Sequence, residues 1–398
     1  MITRAGYLNQ LTSFRDKQLI KVVTGIRRCG KSTLLDLFRN ELLESGVNEE
    51  QIISINFEDA EFEDLMNRKA LYTYIKDRLL PNQMNYIFLD EIQHVDEWQR
   101  TVDSLFIKKN CDVYITGSNA YLLSGELATL LSGRYVEVKM LPLSFAEYVS
   151  AFPDKTDLAR KYQSYLVNSS FPYTLELNKP KDIRAYLDGI YASVVLKDVV
   201  KRRRIADVSA LESVIRFMFD NIGNLCSAKK IADTLNSSGR KIAVHTVEGY
   251  LTVLCDSFIL YKTGRYDVKG KQYLKTGEKY YIADIGLRYY LLGSQKADMG
   301  RALENVVYLE LLRRGYDVRI GKVGNAEVDF IATGENGVEY YQAALTVRDA
   351  HTLARELAPL DSITDHNPKF LLTLDEDPVA SHNGIKQLNA LDWLLHDF

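Results

Sequence analysis

Residues 19–32 read Leu19-Ile-Lys-Val-Val-Thr24-Gly25-Ile-Arg-Arg-Cys29-Gly30-Lys31-Ser32. The first six are mainly apolar and β-branched, as in a strand buried on both sheet faces. The next eight fit the spacing G-x-x-x-x-G-K-[ST]. Across 32–45, Leu34, Leu35, Leu37, Phe38, Leu42 and Leu43 supply an apolar helical face. The stretch therefore predicts strand, glycine loop and helix in succession. That order turns a bare spacing match into a phosphate loop.

The chemistry needs these residue types at these places. Glycines let the backbone curl until its N–H groups face phosphate oxygens. The helix that follows adds the positive end of its dipole. Lys31 neutralises the β- and γ-phosphates, and the Ser32 hydroxyl ligates Mg²⁺. ATP with Mg²⁺ is thus the expected ligand, contacted by Gly25, Arg27, Arg28, Cys29, Gly30, Lys31, Ser32 and Thr33.

The second half of such a site lies in Tyr86-Ile-Phe-Leu-Asp90-Glu91. An apolar strand ending in two carboxylates brings them to the sheet edge beside the loop. Asp90 is expected to hold Mg²⁺ through water, and Glu91 to orient or deprotonate the attacking water. Three further positions have two readings each. Asn119 is a water-positioning or γ-phosphate-sensing residue, or an ordinary turn asparagine. Asn56 restrains Glu91 through a hydrogen bond, or only ends its strand. Arg134 reaches a γ-phosphate in its own or a neighbouring subunit, or is a surface arginine.

Further strands are expected at 52–56, 112–116 and 136–140, and a helix at 64–80. Strands alternating with helices imply right-handed crossovers and a mostly parallel sheet. Ser144-Phe-Ala-Glu147 has capping-box spacing and predicts a helix start. The pattern from 154 to 219 is helical. Helices at 227–235 and 246–255, with strands at 258–266 and 279–283, outline a winged helix. After 300 the order expected is helix, strand, strand, helix.

With 398 residues, 46% of them apolar and 26% charged, the chain reads as soluble and several-domained. It contains no apolar run of the roughly 20 residues that a membrane helix requires. Its four cysteines lack close spacing, which argues against a disulfide framework or zinc site and for the cytoplasm. Net charge is −3, unevenly spread: 19 basic and 11 acidic residues lie within 179–280. Those charges either face an anionic partner such as DNA or solvate helix surfaces.

Together with Gly25-Ile-Arg-Arg-Cys-Gly-Lys-Ser-Thr33, the segments Leu89-Asp-Glu-Ile-Gln93, Thr116-Gly-Ser-Asn119, Ser132-Gly-Arg134 and Pro142-Leu-Ser-Phe145 form a linked set. It resembles the prokaryotic AAA+-type P-loop ATPases that carry a C-terminal domain of unknown function. The resemblance continues through Leu196-Lys-Asp198, Arg202–204, Lys279-Tyr-Tyr-Ile-Ala-Asp284-Ile-Gly-Leu287, Gly300-Arg-Ala-Leu-Glu304-Asn305 and Glu327-Val-Asp329. One departure is Ser169-Ser-Phe-Pro172, where relatives often carry Gly-Gly-Phe-Pro.

The resemblance implies an ATPase core, a helical and winged-helix middle and a nuclease-like end. The expected fold is α/β: a P-loop NTPase parallel sheet, then a helical and winged-helix region, then a small α/β nuclease-like domain. The expected domains are 1–150, 151–220, 221–293 and 294–398. Glu304, Asp329 and the strand Tyr340-Tyr-Gln342-Ala-Ala344 are similar to the PD-(D/E)xK layout. Gln342 stands where a carboxylate belongs and Ala344 where the lysine belongs, so the expected domain is inactive.

Three functions follow as expectations. The first is an ATPase whose hydrolysis switches the C-terminal domains. The second is a nucleic-acid-binding module regulated by ATP, and the least favoured is a nuclease. Partners compatible with the sequence are DNA through 179–280, a protein, or further copies of the chain.

Overall fold

The five residues of β1 (Ile20–Thr24) are all buried, as their composition requires of a central strand. Around β1 the chain builds a five-stranded sheet in the order β2 (Ile52–Asn56), β3 (Asn85–Asp90), β4 (Cys111–Gly117), β1, β5 (Tyr135–Lys139). Every pair is parallel. The phosphate loop, Asp90 and the end of β4 therefore meet at the carboxyl edge, where open α/β sheets place their ligands. This architecture comes from the computed structural model, which describes residues 2–118, 131, 133–193, 199–200, 205, 207–270, 272–293, 299–377 and 379–396. Asn119, 196–198 and 202–204 lie outside the described residues.

Helices α1 (Ala5–Ser13), α2 (Lys31–Glu44), α3 (Arg68–Lys76) and α4 (Trp98–Phe106) complete the first unit. The chain divides into two compact units, residues 1–142 with 256–258 and residues 143–255 with 259–398. The helix expected at 64–80 is shorter than its spacing suggested. A 3-10 turn over Ala60–Leu65 precedes it, and the Asn67 side chain caps α3 by accepting from Lys69 N–H. Helix α1 had no sequence signal, since no side chain caps it and its first turn carries no acid. Phe38 of α2 packs against Phe88 and Tyr114 on the sheet, with ring centroids 6.3 and 5.1 Å away.

The second unit begins with α5 (Phe145–Ser150), α6 (Leu158–Asn168), α7 (Pro180–Ile190) and α8 (Val208–Asp220). Both bonds of the Ser144–Glu147 capping box are present. Next come β6 (Leu225–Cys226), α9 (Ala228–Ser237), α10 (Val244–Asp256), β7 (Leu260–Asp267), β8 (Gln272–Ile282) and α11 (Ile285–Leu292). The remainder forms α12 (Met299–Arg313), β9 (Asp317–Val323), β10 (Ala326–Gly334), β11 (Gly337–Ala344), α13 (Ala350–Asp361), β12 (Lys369–Thr373), β13 (Ala380–His382), β14 (Ile385–Asn389) and α14 (Ala390–Leu395).

The sheet does not stop at the boundary expected near 293. One nine-stranded sheet runs β13-β14-β12-β11-β10-β9-β7-β8-β6. Strand β7 pairs in parallel with β9, Arg265 opposite Ile320 and Asp267 opposite Lys322. The hairpin would otherwise present an unpaired edge, and β9 covers it. Pairing across 55 positions, from Arg265 to Ile320, leaves no local trace, so the sequence suggested two separate elements.

The Ser169-Ser170 departure also has a structural meaning. Ser169 has a φ of +78°, a conformation that favours glycine. A Cβ on Gly286 would lie 2.5 Å from the Ser169 Cα, so the start of α11 rests directly on this loop. Asp284 caps α11 by accepting from Leu287 N–H at 2.8 Å, and its other oxygen accepts from the Ser170 N–H and hydroxyl at 2.6 Å each. Among the described residues, no helix is long and apolar enough to cross a membrane.

Candidate functional site

Three backbone positions shape the loop between β1 and α2. Gly25 has φ +151°, Arg28 φ +70° and Gly30 φ +102°. A Cβ on Gly25 would meet the Met140 carbonyl oxygen at 2.1 Å, so only glycine fits there. Gly30 is the N-cap of α2 and no side chain caps that end. The first intrahelical bond runs from Leu34 N–H to the Gly30 carbonyl. The N–H groups ahead of Leu34 are left for another acceptor, while Arg28 adopts a left-handed conformation that non-glycine residues hold at a cost.

Lys31, 4% exposed, lies against this loop. Its ammonium donates to the Gly25 carbonyl at 3.3 Å and stands 3.5 Å from Glu91. Asp90 and Glu91 are 7% and 6% exposed. Thr116, at the end of β4, bridges them: its hydroxyl donates to Asp90 and accepts from Glu91 N–H at 2.8 Å. The Ser32 hydroxyl also bonds Asp90. Glu91 has φ +53°, so the chain turns sharply once β3 has delivered the two carboxylates.

The two acids are tuned in opposite directions. Burial pushes the Asp90 pKa up, and the bonds from Ser32 and Thr116 only partly offset it. Burial also pushes Glu91 upward, but Lys31, the Gln93 amide, Arg27 and Ser118 together outweigh it. Glu91 thus ends below its ordinary value and is held as a carboxylate.

The expected site residues fall into several groups. Gly25, Gly30, Lys31, Ser32, Asp90 and Glu91 come together at one sheet edge. Cys29 faces inward, fully buried, with its thiol donating to the Met140 carbonyl at 3.6 Å, and burial raises its pKa. Arg27 pairs with Glu58 at the rim of the loop. Arg28 and Thr33 are exposed.

Two expected roles change. Asn56 accepts from Glu58 N–H at 2.9 Å and closes its own turn, with no bond to Glu91. The amide on Glu91 belongs to Gln93 instead. Arg134 precedes β5 at the amino edge of the sheet, opposite the phosphate loop. The five residues of β5 at ~3.3 Å each separate it from that edge by roughly 16 Å. It pairs with Asp103 and lies over the Phe106 ring. This rules out a γ-phosphate contact in its own subunit.

Thr116, Ser118 and Gln93 were not singled out from sequence. The first two lie in the quoted Thr116-Gly-Ser run, and their position after a strand adjoining β1 was the available signal. Gln93 lies two residues beyond Glu91, and only the turn at Glu91 brings its amide back.

The C-terminal constellation also assembles. Asp329, on β10, sits where the pairing with β9 shifts register between Val328 and Ile331. Its carboxylate accepts from Ala343 N–H at 2.9 Å. Gln342 accepts from Asp329 N–H at 3.2 Å and donates to Glu356 at 2.9 Å. A lysine is present after all, but from β8: Lys279 stands 2.9 Å from Glu304 and 2.8 Å from Glu327. The Tyr281 hydroxyl also donates to Glu304, at 2.7 Å. Burial first, then the Glu304 charge, pushes Asp329 well above the ordinary carboxylate pKa, with Lys279 pulling the other way.

Residues 17–149 match the AAA domain family, and residues 159–298 match a domain of unknown function, DUF8612. The chain is 41% identical to an uncharacterized protein of Haemophilus influenzae, over 99% of either chain. It is 32% identical to an uncharacterized protein of Methanocaldococcus jannaschii, over 80% of this chain and 73% of that one. The solved structure of the Walker-type ATPase paby2304 of Pyrococcus abyssi is similar at a TM-score of 0.51 and 16% identity, over 73% of this chain and 96% of that one. Fold and loop together define a P-loop core of the AAA type. The chain belongs to the same family as these uncharacterized bacterial and archaeal proteins, and its residues 17–149 form an AAA domain.

Proposed function

We propose that the chain binds ATP with Mg²⁺ at the carboxyl edge of the parallel sheet and hydrolyses it to switch the state of its C-terminal region. The observation that carries this reading is the convergence of Lys31, Ser32, Asp90 and Glu91 beside an uncapped helix N-terminus. Lys31 and the loop N–H groups take the phosphates. Ser32 and Asp90 offer a hydroxyl and a carboxylate, the hard oxygen donors Mg²⁺ prefers. Among the described residues, no group of three or more His, Cys, Asp or Glu could hold a metal. The ion would therefore draw its remaining ligands from phosphate and water, as Mg²⁺ commonly does. Bound there, it supplies charge neutralisation on the phosphates.

Glu91 is kept ionised, so it can accept the proton of an attacking water. Glu91 is paired with Lys31, and an arriving γ-phosphate competes for that ammonium. Release of Glu91 then couples nucleotide arrival to base activation. Asn119 stays a candidate for positioning the water. Arg134 is a candidate only toward a neighbouring subunit, since its own loop is out of reach.

Steady-state ATP hydrolysis tests the reading, for wild type and Glu91→Gln, with and without duplex DNA. Glu91→Gln should keep ATP binding and lose turnover by ~10²–10⁴-fold. ATP bound without turnover under any of these conditions would remove the hydrolysis claim.

A second reading, an ATP-regulated nucleic-acid module, draws on the winged-helix outline of α9, α10, β7 and β8. Lys229, Lys230, Lys241 and Lys269 stand exposed there. Helix α10 contains no arginine or lysine, so contacts would go to phosphates rather than to bases. The C-terminal region reads as nuclease-like without nuclease activity, because Gln342 and Ala344 replace the acid and the lysine and Lys279 is committed to ion pairs. Magnesium-dependent DNA cleavage that disappears in Asp329→Ala would reverse that reading. Four free cysteines agree with a cytoplasmic setting.

A further inference from the structure

Arg4 precedes α1, carries no motif and is 4% exposed. Its guanidinium donates to the Cys29 carbonyl at 3.1 Å, the Leu141 carbonyl at 2.7 Å and the Pro142 carbonyl at 3.5 Å. The Tyr7 ring lies 5.0 Å beneath it, and the Tyr7 hydroxyl accepts from Leu141 N–H at 3.0 Å. Cys29 belongs to the phosphate loop, while Leu141 and Pro142 follow β5. Gly25 and Cys29 both press on Met140 from the loop side. Residues 140–142 with Arg4 therefore form a wall behind the loop.

The Cys29–Gly30 peptide is planar and trans, so its carbonyl and the Gly30 N–H point to opposite sides. A guanidinium that holds the carbonyl toward the wall turns the Gly30 N–H away from it, toward the open side of the loop. A planar guanidinium carries donors on separated nitrogens in a fixed fork, so it can hold carbonyls that lie further apart than one ammonium reaches. We infer that Arg4 is a positioning residue for nucleotide binding, which fixes the phosphate loop from behind and aims its N–H donors at the phosphates. Arg4 touches no nucleotide itself, and the inference rests on the proposed ATP site.

Its contribution is to the shape of the loop whether phosphate is intact or reacting. Loss of such uniform binding raises KM and leaves kcat unchanged. Arg4→Lys keeps the charge but cannot span the carbonyls, so it should fall between wild type and Arg4→Met. Tyr7→Phe keeps the ring under the guanidinium and removes only the hydroxyl bond to Leu141 N–H, so it separates that bond from the fork.

The experiment measures the Kd of a fluorescent MgATP analogue and the kcat and KM for ATP on the full chain. The proteins are wild type, Arg4→Met, Arg4→Lys, Tyr7→Phe and Lys31→Ala, each checked by nucleotide-free melting. Expected are Kd and KM raised by ~10-fold or more in Arg4→Met, a smaller rise in Arg4→Lys, kcat at saturation near wild type, and Tyr7→Phe binding normally. If Arg4→Met does not fold, Arg4→Lys carries the test alone. A wild-type Kd in folded Arg4→Met or Arg4→Lys, or a loss of kcat with KM unchanged, overturns the inference. When Lys31→Ala loses binding beside such a result, the ATP reading stands and only this one falls. A wild type that binds no nucleotide overturns both.

Discussion

Lys31 and Lys279 are both buried lysines that face carboxylates, one in each compact unit. Lys31 stands 3.5 Å from one glutamate and 3.3 Å from a backbone carbonyl. Backbone N–H groups at the start of α2 share its surroundings without a capping side chain. That site offers backbone donors to an anion. Lys279 instead lies within 3 Å of both Glu304 and Glu327, with Asp329 nearby. Its positive charge answers acids that the protein itself supplies. The same ammonium chemistry therefore makes a receptor in one place and a clasp in the other. Backbone donors left over at the first, and internal carboxylates at the second, make the difference.

Removing each lysine should break the comparison in opposite ways. Lys31→Ala should raise the Kd for MgATP ~100-fold, about 3 kcal/mol of charge-assisted bonding at ~1.4 kcal/mol per decade. Lys279→Met should leave that Kd unchanged. It should lower the stability of the C-terminal unit by up to ~3 kcal/mol, because the partly buried Glu304 and the buried Asp329 lose their cation. Nucleotide titration and urea denaturation on both variants separate the outcomes. Equal effects of the two changes on binding would erase the distinction.

Gln93→Leu sharpens the first site. It removes the amide that helps hold Glu91 ionised. A bond to a charged group contributes about 1.5–3 kcal/mol, and its loss should appear in the ionisation of Glu91 with KM little changed. The Glu91 pKa should rise, moving the acid limb of the kcat profile to higher pH. An unmoved limb would show that Gln93 only packs there.

Asp329→Asn sharpens the second site, with the smallest effect. Asp329 has a raised pKa in the folded chain, so the folded state keeps its proton where the unfolded chain, near the usual ~3.9, has lost it. Unfolding is therefore increasingly favoured as pH climbs above that value, up to the folded pKa. The asparagine variant lacks this penalty. It should match wild type near pH 4 and be the more stable at pH 7, in denaturation midpoints at the two pH values. Parallel pH profiles would refute the account.

The first site was largely legible because its parts are local. Residues 25–32 fix the loop through backbone geometry, and 86–91 put two acids at a strand end. The partners Thr116, Gln93 and Arg4 were not legible. Thr116 depends on β4 lying between β1 and β3, Gln93 on the turn at Glu91, and Arg4 on packing that spans 137 residues to Leu141. For Asn56 and Arg134 the sequence left two readings each, since residue type indicates what a side chain can do but not which edge or neighbour it faces.

The C-terminal half shows the same limit more strongly. Missing groups at 342 and 344 were visible in the sequence, whereas Lys279 as their counterpart was not, because β8 reaches Glu304 only within the shared nine-stranded sheet. By itself the sequence determined the parallel α/β core, the phosphate loop and the two acids after β3, since strand composition, glycine spacing and helix period act over a few residues. Tertiary structure alone decided which residues support those acids, where Arg134 points and what neutralises Glu304 and Glu327. Those outcomes follow from strand order and burial, which bring together side chains far apart in the chain.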